Sequence, residues 1–246
     1  GKTELSKILA KIQFGSEQMM VRFDMSEYQT KESIIRFIGS PDGKIAGSLT
    51  EAVIEKPYCL ILLDEFEKAH PDILNLFLQV FDDGRLTDGL GRTISFQNTI
   101  IIATSNAHSD IIKQALDAGE PMTSISEYLK KKLVDFFKPE LLNRFSKIVV
   151  FKELGIKEIK EIAKINLNDL AQDLEEQGFF IEFSDEAIEE IARLGYNPSF
   201  GARPLREVIS EKIKNTLAEK ILKKEIQRGD KTKVDFKDGN FKFLTQ

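Results

Sequence analysis

An apolar run that ends in two acidic residues constrains the fold of this chain more than any other feature. Residues 59–63 are all apolar, and Asp64 and Glu65 follow them directly. A short run of this kind is typical of a strand that is buried on both faces of a parallel sheet. Burying ionised carboxylates beside such a strand costs free energy unless a cation pairs with them or a reaction uses them. The run therefore predicts a sheet with a polar site at the carboxyl end of one strand.

The order of the other elements predicts an α/β fold. Apolar strands are expected over 19–24, 99–104 and 148–151, in addition to 59–63. Helical spacing is found over 3–14, 31–38, 49–55, 71–82 and 128–137. Strands that alternate with helices favour a parallel sheet covered on both faces. Turn residues over 84–98 predict a β-hairpin inserted into this pattern.

The pattern changes near Leu154, where a second domain is expected to begin. Helices are predicted over 157–177, 184–194 and 204–224, with a strand over 180–183 and a terminal hairpin over 233–244. Ser184 is the predicted N-cap of the middle helix. We therefore expect one domain over 1–153 and a smaller, mainly helical α+β domain over 154–246.

Composition excludes several classes of protein. The net charge is −5 and the sequence pI is about 5.4, which argues against a general affinity for nucleic acid. The single cysteine, Cys59, cannot form a disulfide within the chain, and this suits a reducing, cytoplasmic setting. No apolar stretch is long enough to span a bilayer, so no membrane partner is expected.

The first three residues match the end of a phosphate-binding loop. Gly1, Lys2 and Thr3 precede a predicted helix, as in the motif G-x-x-x-x-G-K-[ST]. The lysine would reach the β- and γ-phosphates of ATP, the threonine hydroxyl would bind Mg²⁺, and backbone N–H groups would hold the phosphates. On its own, such a tripeptide is more often an ordinary helix start.

The acidic pair fits the same chemistry. In the Walker B arrangement the aspartate, here Asp64, holds the Mg²⁺ of a bound nucleotide. The glutamate, here Glu65, aligns or deprotonates the attacking water. Taken alone, an acidic pair after a strand is more often a polar strand end, so the two motifs support each other.

Two further side chains are candidates for the same site. Asn106 follows the strand over 99–104, where its amide could orient the water or touch the γ-phosphate; the alternative is a turn former. Arg144 could be an arginine finger for the nucleotide of a neighbouring subunit. The alternative for Arg144 is a surface salt bridge, which is the commoner fate of arginine.

These motifs occur in an order that resembles a known family. The chain is similar to the second nucleotide-binding domain of the Clp-type AAA+ chaperones over nearly its whole length. The segments that carry the resemblance are Phe23–Tyr28, Leu63–Pro71, Asp83–Asp88, Gly91–Thr93, Thr104–Asn106, Pro139–Arg144 and Gly201–Leu205.

The resemblance implies a role for each candidate residue. Gly1, Lys2 and Thr3 would belong to Walker A, and Asp64 and Glu65 to Walker B, with ATP and Mg²⁺ as cofactors. The remaining roles implied are sensor 1 for Asn106, the arginine finger for Arg144 and sensor 2 for Arg203. The alternative for Arg203 is a helix-start arginine paired with a nearby acid.

The resemblance also implies a function and partners. It implies an ATP-dependent protein unfoldase or disaggregase that works as a homo-hexamer on unfolded or aggregated protein in the cytoplasm, with a co-chaperone left open. One alternative is a nucleotide-dependent assembly or regulatory module. A third hypothesis is a nucleic-acid motor. The acidic pI and the absence of a basic, aromatic-rich tract argue against it.

The chain departs from the family pattern in three places. In the family, a central strand and earlier loop glycines precede the position of Gly1, so we expect this chain alone to bind ATP poorly. The substrate-gripping loop of the family corresponds to Gly39–Gly47, which is shorter and has Lys44 in place of the aromatic residue. The hydrophobic-Gly-Phe tripeptide of relatives that feed a peptidase is absent between Ala107 and Phe137, which makes a peptidase partner less expected.

Overall fold

The computed structural model describes residues 1–197 and 201–245. The chain divides into two compact units, Gly1–Phe151 and Lys152–Gln246. Among the described residues, no helix has both the length and the apolar character needed to cross a membrane.

The first unit is built on a three-stranded parallel sheet. Five strands occur in this unit: β1 (Met20–Asp24), β2 (Cys59–Asp64), β3 (Arg85–Thr87), β4 (Thr93–Ser95) and β5 (Thr99–Ala103). The parallel sheet has the order β1-β2-β5, and β3 and β4 form a separate antiparallel hairpin. The predicted parallel α/β fold and the inserted hairpin are therefore confirmed.

Helices cover both faces of this sheet. The first four are α1 (Lys2–Phe14), α2 (Ser33–Ile38), α3 (Ser48–Glu55) and α4 (Pro71–Asp83). Because side chains alternate along a strand, Leu60 and Leu62 of β2 pack in the cluster that contains Ala10 of α1. Ile61 and Leu63 belong to the larger cluster on the opposite face. The strand that carries the acidic pair is thus the buried centre of the sheet.

Two predictions for the end of this unit are wrong. Residues 148–151 form no strand, and the side chains of Val149 and Phe151 are exposed. They pair with no strand among the described residues, and an isolated β-branched run gains no ladder hydrogen bonds. The helix predicted over 128–137 begins earlier. The elements here are α5 (Ser109–Asp117), α6 (Met122–Lys132) and α7 (Pro139–Leu142).

The second unit is a helical domain with a small mixed sheet. Its elements are α8 (Ile156–Glu175), β6 (Phe180–Phe183), α9 (Asp185–Gly195), α10 (Arg203–Ile209), α11 (Asn215–Leu222), β7 (Lys231–Lys237) and β8 (Asn240–Thr245). β6 pairs with β7 in parallel, and β7 pairs with β8 as the predicted hairpin. The helix predicted over 204–224 differs in detail, because a π-helical turn at Ser210–Lys214 separates α10 from α11. The predicted N-cap is confirmed: the Ser184 hydroxyl accepts a hydrogen bond from the backbone N–H of Ala187.

Candidate active site

Asp64 ends the central strand with both carboxylate oxygens engaged. The Nη2 atom of Arg22 lies 2.5 Å from Oδ2 of Asp64, and the Thr104 hydroxyl donates to Oδ1. The Asp64 side chain is only 16% exposed. The neighbouring strands β1 and β5 therefore fix the orientation of this carboxylate from both sides.

Glu65 occupies a backbone conformation that few residues adopt. Its φ is 55° and its ψ is 48°, in the left-handed region. For a residue other than glycine this costs of order 1 kcal/mol and is commonest at functional sites. The turn is held because the N–H of Phe66 donates to the carbonyl of Thr104 at 2.9 Å. The chain thus turns away from the sheet directly after Asp64.

Lys2, Asn106 and Glu65 form one hydrogen-bonded series. The amine of Lys2 lies 2.5 Å from Oδ1 of Asn106 and 2.8 Å from the carbonyl oxygen of Ser105. The amide nitrogen Nδ2 of Asn106 donates to Oε1 of Glu65 at 3.4 Å. The structure therefore brings a cation, an amide and a carboxylate together at the carboxyl edge of the sheet, where Asp64 also lies.

Glu67 holds the backbone of the same loop. Its Oε1 atom accepts the N–H of Asn106 at 3.1 Å. The second oxygen, Oε2, is buried and has no hydrogen-bond partner among the described residues. An unpaired buried oxygen costs about 1–3 kcal/mol. The site therefore retains an acceptor that a water or another donor can satisfy.

Gly1 and Thr3 lie at the start of α1. Gly1 is the N-cap residue, and its carbonyl accepts the N–H of Leu5 at 2.9 Å. The N–H groups of a first helical turn have no partner within the helix, and they favour anions such as phosphate. The first turn of α1 is therefore suited to an anionic ligand.

Arg144 pairs with a different acid in the first unit, and Arg203 belongs to the second unit. The guanidinium of Arg144 pairs with Asp82 near the end of α4, with Nη2 at 3.2 Å from Oδ2. Arg203 is exposed at the start of α10, in the second unit. The proposed roles of both arginines concern a neighbouring subunit or the other unit, and they stay predictions.

The donor set fits a magnesium ion that arrives with a nucleotide. Among residues 1–197 and 201–245, no group of three or more His, Cys, Asp or Glu could hold a metal. Mg²⁺ commonly uses one or two protein oxygens together with phosphates and waters. Asp64 and Thr3 supply oxygens of that kind, and each Asp64 oxygen keeps a second lone pair.

Sequence reasoning missed two residues that touch the site, Arg22 and Glu67. Arg22 is paired in register with Leu62, so its side chain lies on the same face as that of Asp64. The pairing register of β1 with β2 would be needed to predict the contact between Arg22 and Asp64 from the sequence. Glu67 lies in the quoted motif, but its contact with Asn106 depends on the left-handed turn at Glu65.

This site has a lysine at a helix start, an acidic pair after a central parallel strand and an asparagine after the next strand. Such a combination is typical of ATPase modules of the P-loop class. A family model described as AAA domain (Cdc48 subfamily) matches residues 1–148. A second model, described as the C-terminal, D2-small domain of ClpB protein, matches residues 154–234. The chain belongs to the AAA ATPase family, as a second nucleotide-binding domain of the Clp chaperone type.

Individual relatives agree with this assignment. The chain is 45% identical to chaperone protein ClpB of Aquifex aeolicus over 99% of its length, and 51% identical to ClpB of Vibrio vulnificus over 90%. It is 43% identical over 99% of its length to a ClpA homologue of Porphyra purpurea. A closed-state cryo-EM reconstruction of Hsp104 with ATPγS and FITC-casein matches with a TM-score of 0.84 and 37% identity, over 99% of this chain.

The chain spans only part of each of these proteins. It covers 25% of the Aquifex protein, 26% of the Vibrio protein, 32% of the Porphyra protein and 43% of the Hsp104 chain. The activity, substrates and partners of a whole protein are therefore matters of proposal.

Proposed function

We propose that this chain is the second ATPase domain of a protein unfoldase or disaggregase. Residues 1–153 would form the large ATPase subdomain and 154–246 its lid. The protein that carries the chain would form a homo-hexamer in the cytoplasm and would act on unfolded or aggregated protein, with or without a co-chaperone.

The observation that carries this proposal is the series from Lys2 through Asn106 to Glu65, beside Asp64. The Lys2 amine is a point cation at a helix start, where it would bind the β- and γ-phosphates of ATP. The Glu65 carboxylate would accept a proton from the attacking water, which the Asn106 amide would help to orient. The hydrogen bonds of Lys2 with Asn106 and of Asn106 with Glu65 support these roles.

Three groups would complete the site. Mg²⁺, bound through Asp64 and Thr3, would neutralise charge on the phosphates. Arg144 of one subunit would approach the nucleotide of its neighbour. Arg203 would respond to the γ-phosphate from the lid. Hydrolysis would then change how subunits and lids are placed, and this movement would pull on a polypeptide.

The test separates binding from hydrolysis. In the protein that carries this chain, Lys2→Ala should weaken ATP binding at least about tenfold, because a charge-assisted phosphate contact is lost. Glu65→Gln should retain binding but slow hydrolysis about a hundredfold or more. Lys11→Ala and Glu17→Gln, at exposed positions, are the matched controls. Unchanged hydrolysis in Glu65→Gln would contradict the assigned mechanism.

A second candidate is a nucleotide-dependent assembly or regulatory module. The observation in its favour is the loop Gly39–Gly47, which has no aromatic side chain and is closed by its own hydrogen bonds. The unfoldase predicts that unfolded protein stimulates the ATPase. The assembly module predicts nucleotide-dependent ring formation without such stimulation.

A further inference from the structure

We propose that Leu90, at the tip of the β3–β4 hairpin, is a second substrate-contacting residue and shares the grip on an extended polypeptide with Ile45. This inference rests on the proposed unfoldase function, because it assigns the chemistry of the substrate contact. Four observations carry it.

The hairpin tip and the loop Gly39–Gly47 are joined through their backbones. The N–H of Gly89 donates to the carbonyl of Ile38 at 3.0 Å. A Cβ atom on Gly89 would lie 2.2 Å from the carbonyl oxygen of Gly39, a distance that no side chain tolerates. Glycine at position 89 therefore permits a contact that makes the two loops one body.

Buried polar contacts hold the hairpin tip rigid. Asp88 is 6% exposed, and its carboxylate accepts the N–H groups of Leu90 at 3.0 Å and of Arg92 at 2.8 Å. Burial raises the pKa of Asp88, but the hydrogen bonds from Arg92 and Leu90, together with the charge of Arg92, outweigh it and leave the pKa lowered. The Arg92 guanidinium also pairs with Glu51 of α3. The tip is thus anchored to the body of the first unit.

The neighbouring loop is closed in the same way. The N–H of Ser40 donates to the carbonyl of Ile45 at 2.9 Å, and the Ser40 hydroxyl accepts the N–H of Ile45 at 2.9 Å. Lys44 is paired with Asp42 at 3.2 Å. A loop with these internal bonds presents its side chains in fixed positions, and such a loop loses little entropy on binding.

The large apolar side chains exposed on these two loops are those of Ile45 and Leu90, which are 46% and 52% exposed. Leu90 lies over the other loop, because a Cβ on Gly43 would meet its Cδ2 atom at 3.3 Å. In the absence of an aromatic side chain, these two residues supply the apolar contact. The surface area of two side chains is far smaller than the roughly 800 Å² per partner that is buried in a stable complex of folded proteins. They suit one or two side chains of an extended polypeptide.

The test is site-specific photo-crosslinking in the protein that carries this chain, with a slowly hydrolysed ATP analogue. The probe is reduced, carboxymethylated lactalbumin, a permanently unfolded protein. The crosslinker p-benzoylphenylalanine is placed at position 90, at position 45 or at position 244, where Leu244 is 50% exposed in the second unit. We expect crosslinks from 90 and 45 and none from 244.

The other outcomes are decisive. Crosslinks from 45 but not from 90 overturn the role of Leu90 and leave the unfoldase proposal standing. If neither position 90 nor position 45 gives crosslinks, the role of Leu90 and the unfoldase proposal are both overturned. As an independent measure, Leu90→Ser should weaken binding of the same polypeptide about fivefold, because about half of a leucine side chain would be buried in the complex. Leu244→Ser should leave it unchanged, and equal binding by Leu90→Ser would count against the inference.

Discussion

The guanidinium of Arg22 lies 2.5 Å from the Asp64 carboxylate, across the pair of strands β1 and β2. This contact places a positive charge beside the acid that we propose as the metal ligand. Since Thr104 holds the other oxygen, both oxygens of the carboxylate are oriented by contacts within the chain. Arg22 is 51% exposed, so solvent screens the pair.

The pair of Arg22 and Asp64 should contribute little to stability. We expect Arg22→Gln to lower the free energy of unfolding by less than about 1 kcal/mol, because one partner is half exposed. Urea denaturation followed by circular dichroism measures this, and Arg85→Gln, at an exposed and weakly paired arginine, is the control. A loss above about 2 kcal/mol would show that the pair is shielded from water.

The contact between Gly89 and Gly39 makes a steric prediction. Gly89→Ala should cost at least about 2–3 kcal/mol, since its Cβ would overlap a backbone carbonyl that cannot rotate away. Gly91→Ala is the matched control, because its φ of +79° is strained for alanine but nothing lies within 4 Å. That strain costs about 1–2 kcal/mol. A loss below about 1 kcal/mol for Gly89→Ala, measured by urea denaturation, would mean that the loops separate freely.

The N-cap of α9 gives a prediction for the second unit. Ser184 accepts the N–H of Ala187 at 3.1 Å and donates to Asp235 at 2.8 Å. Ser184→Ala should destabilise this unit by about 1 kcal/mol. We expect this loss of stability to appear as faster hydrogen exchange of the backbone amides in α9. Ser210→Ala, at an exposed serine within the helical segment, should leave those amides protected.

Asp235 makes the second unit sensitive to acid. The Lys237 amine at 2.7 Å and the Ser184 hydroxyl lower the pKa of Asp235 from 3.8 to about 2. A carboxyl whose pKa is lower in the folded state stabilises the fold above its unfolded pKa. That contribution is lost as the pH falls from about 4 to about 2.

The variant Asp235→Asn isolates this effect. Above pH 5 it should be less stable than the parent chain, and the difference should shrink towards pH 2, because the parent carboxyl is then protonated as well. Urea denaturation at each pH measures the difference. Asp173→Asn, at an exposed position in α8, is the control. A difference that does not change with pH would assign the loss to packing rather than to charge.

Much of the fold follows from local patterns in the sequence. The apolar residues before Asp64 predict β2, and the amphipathic run after Pro71 predicts α4, because burial of apolar side chains repeats with the period of each element. The N-cap at Ser184 is equally local, since a hydroxyl and an N–H three residues later satisfy each other.

Tertiary structure decided what depends on partners distant in sequence. Residues 148–151 have strand-like composition, yet they form no strand, because a ladder needs a neighbour that the described residues do not provide. The contacts of Asp64 with Arg22, of Asn106 with Glu67 and of Gly89 with Gly39 depend on strand register and loop approach. The residue types of the candidate site could be named from the sequence, but their geometry is set by how separate segments pack.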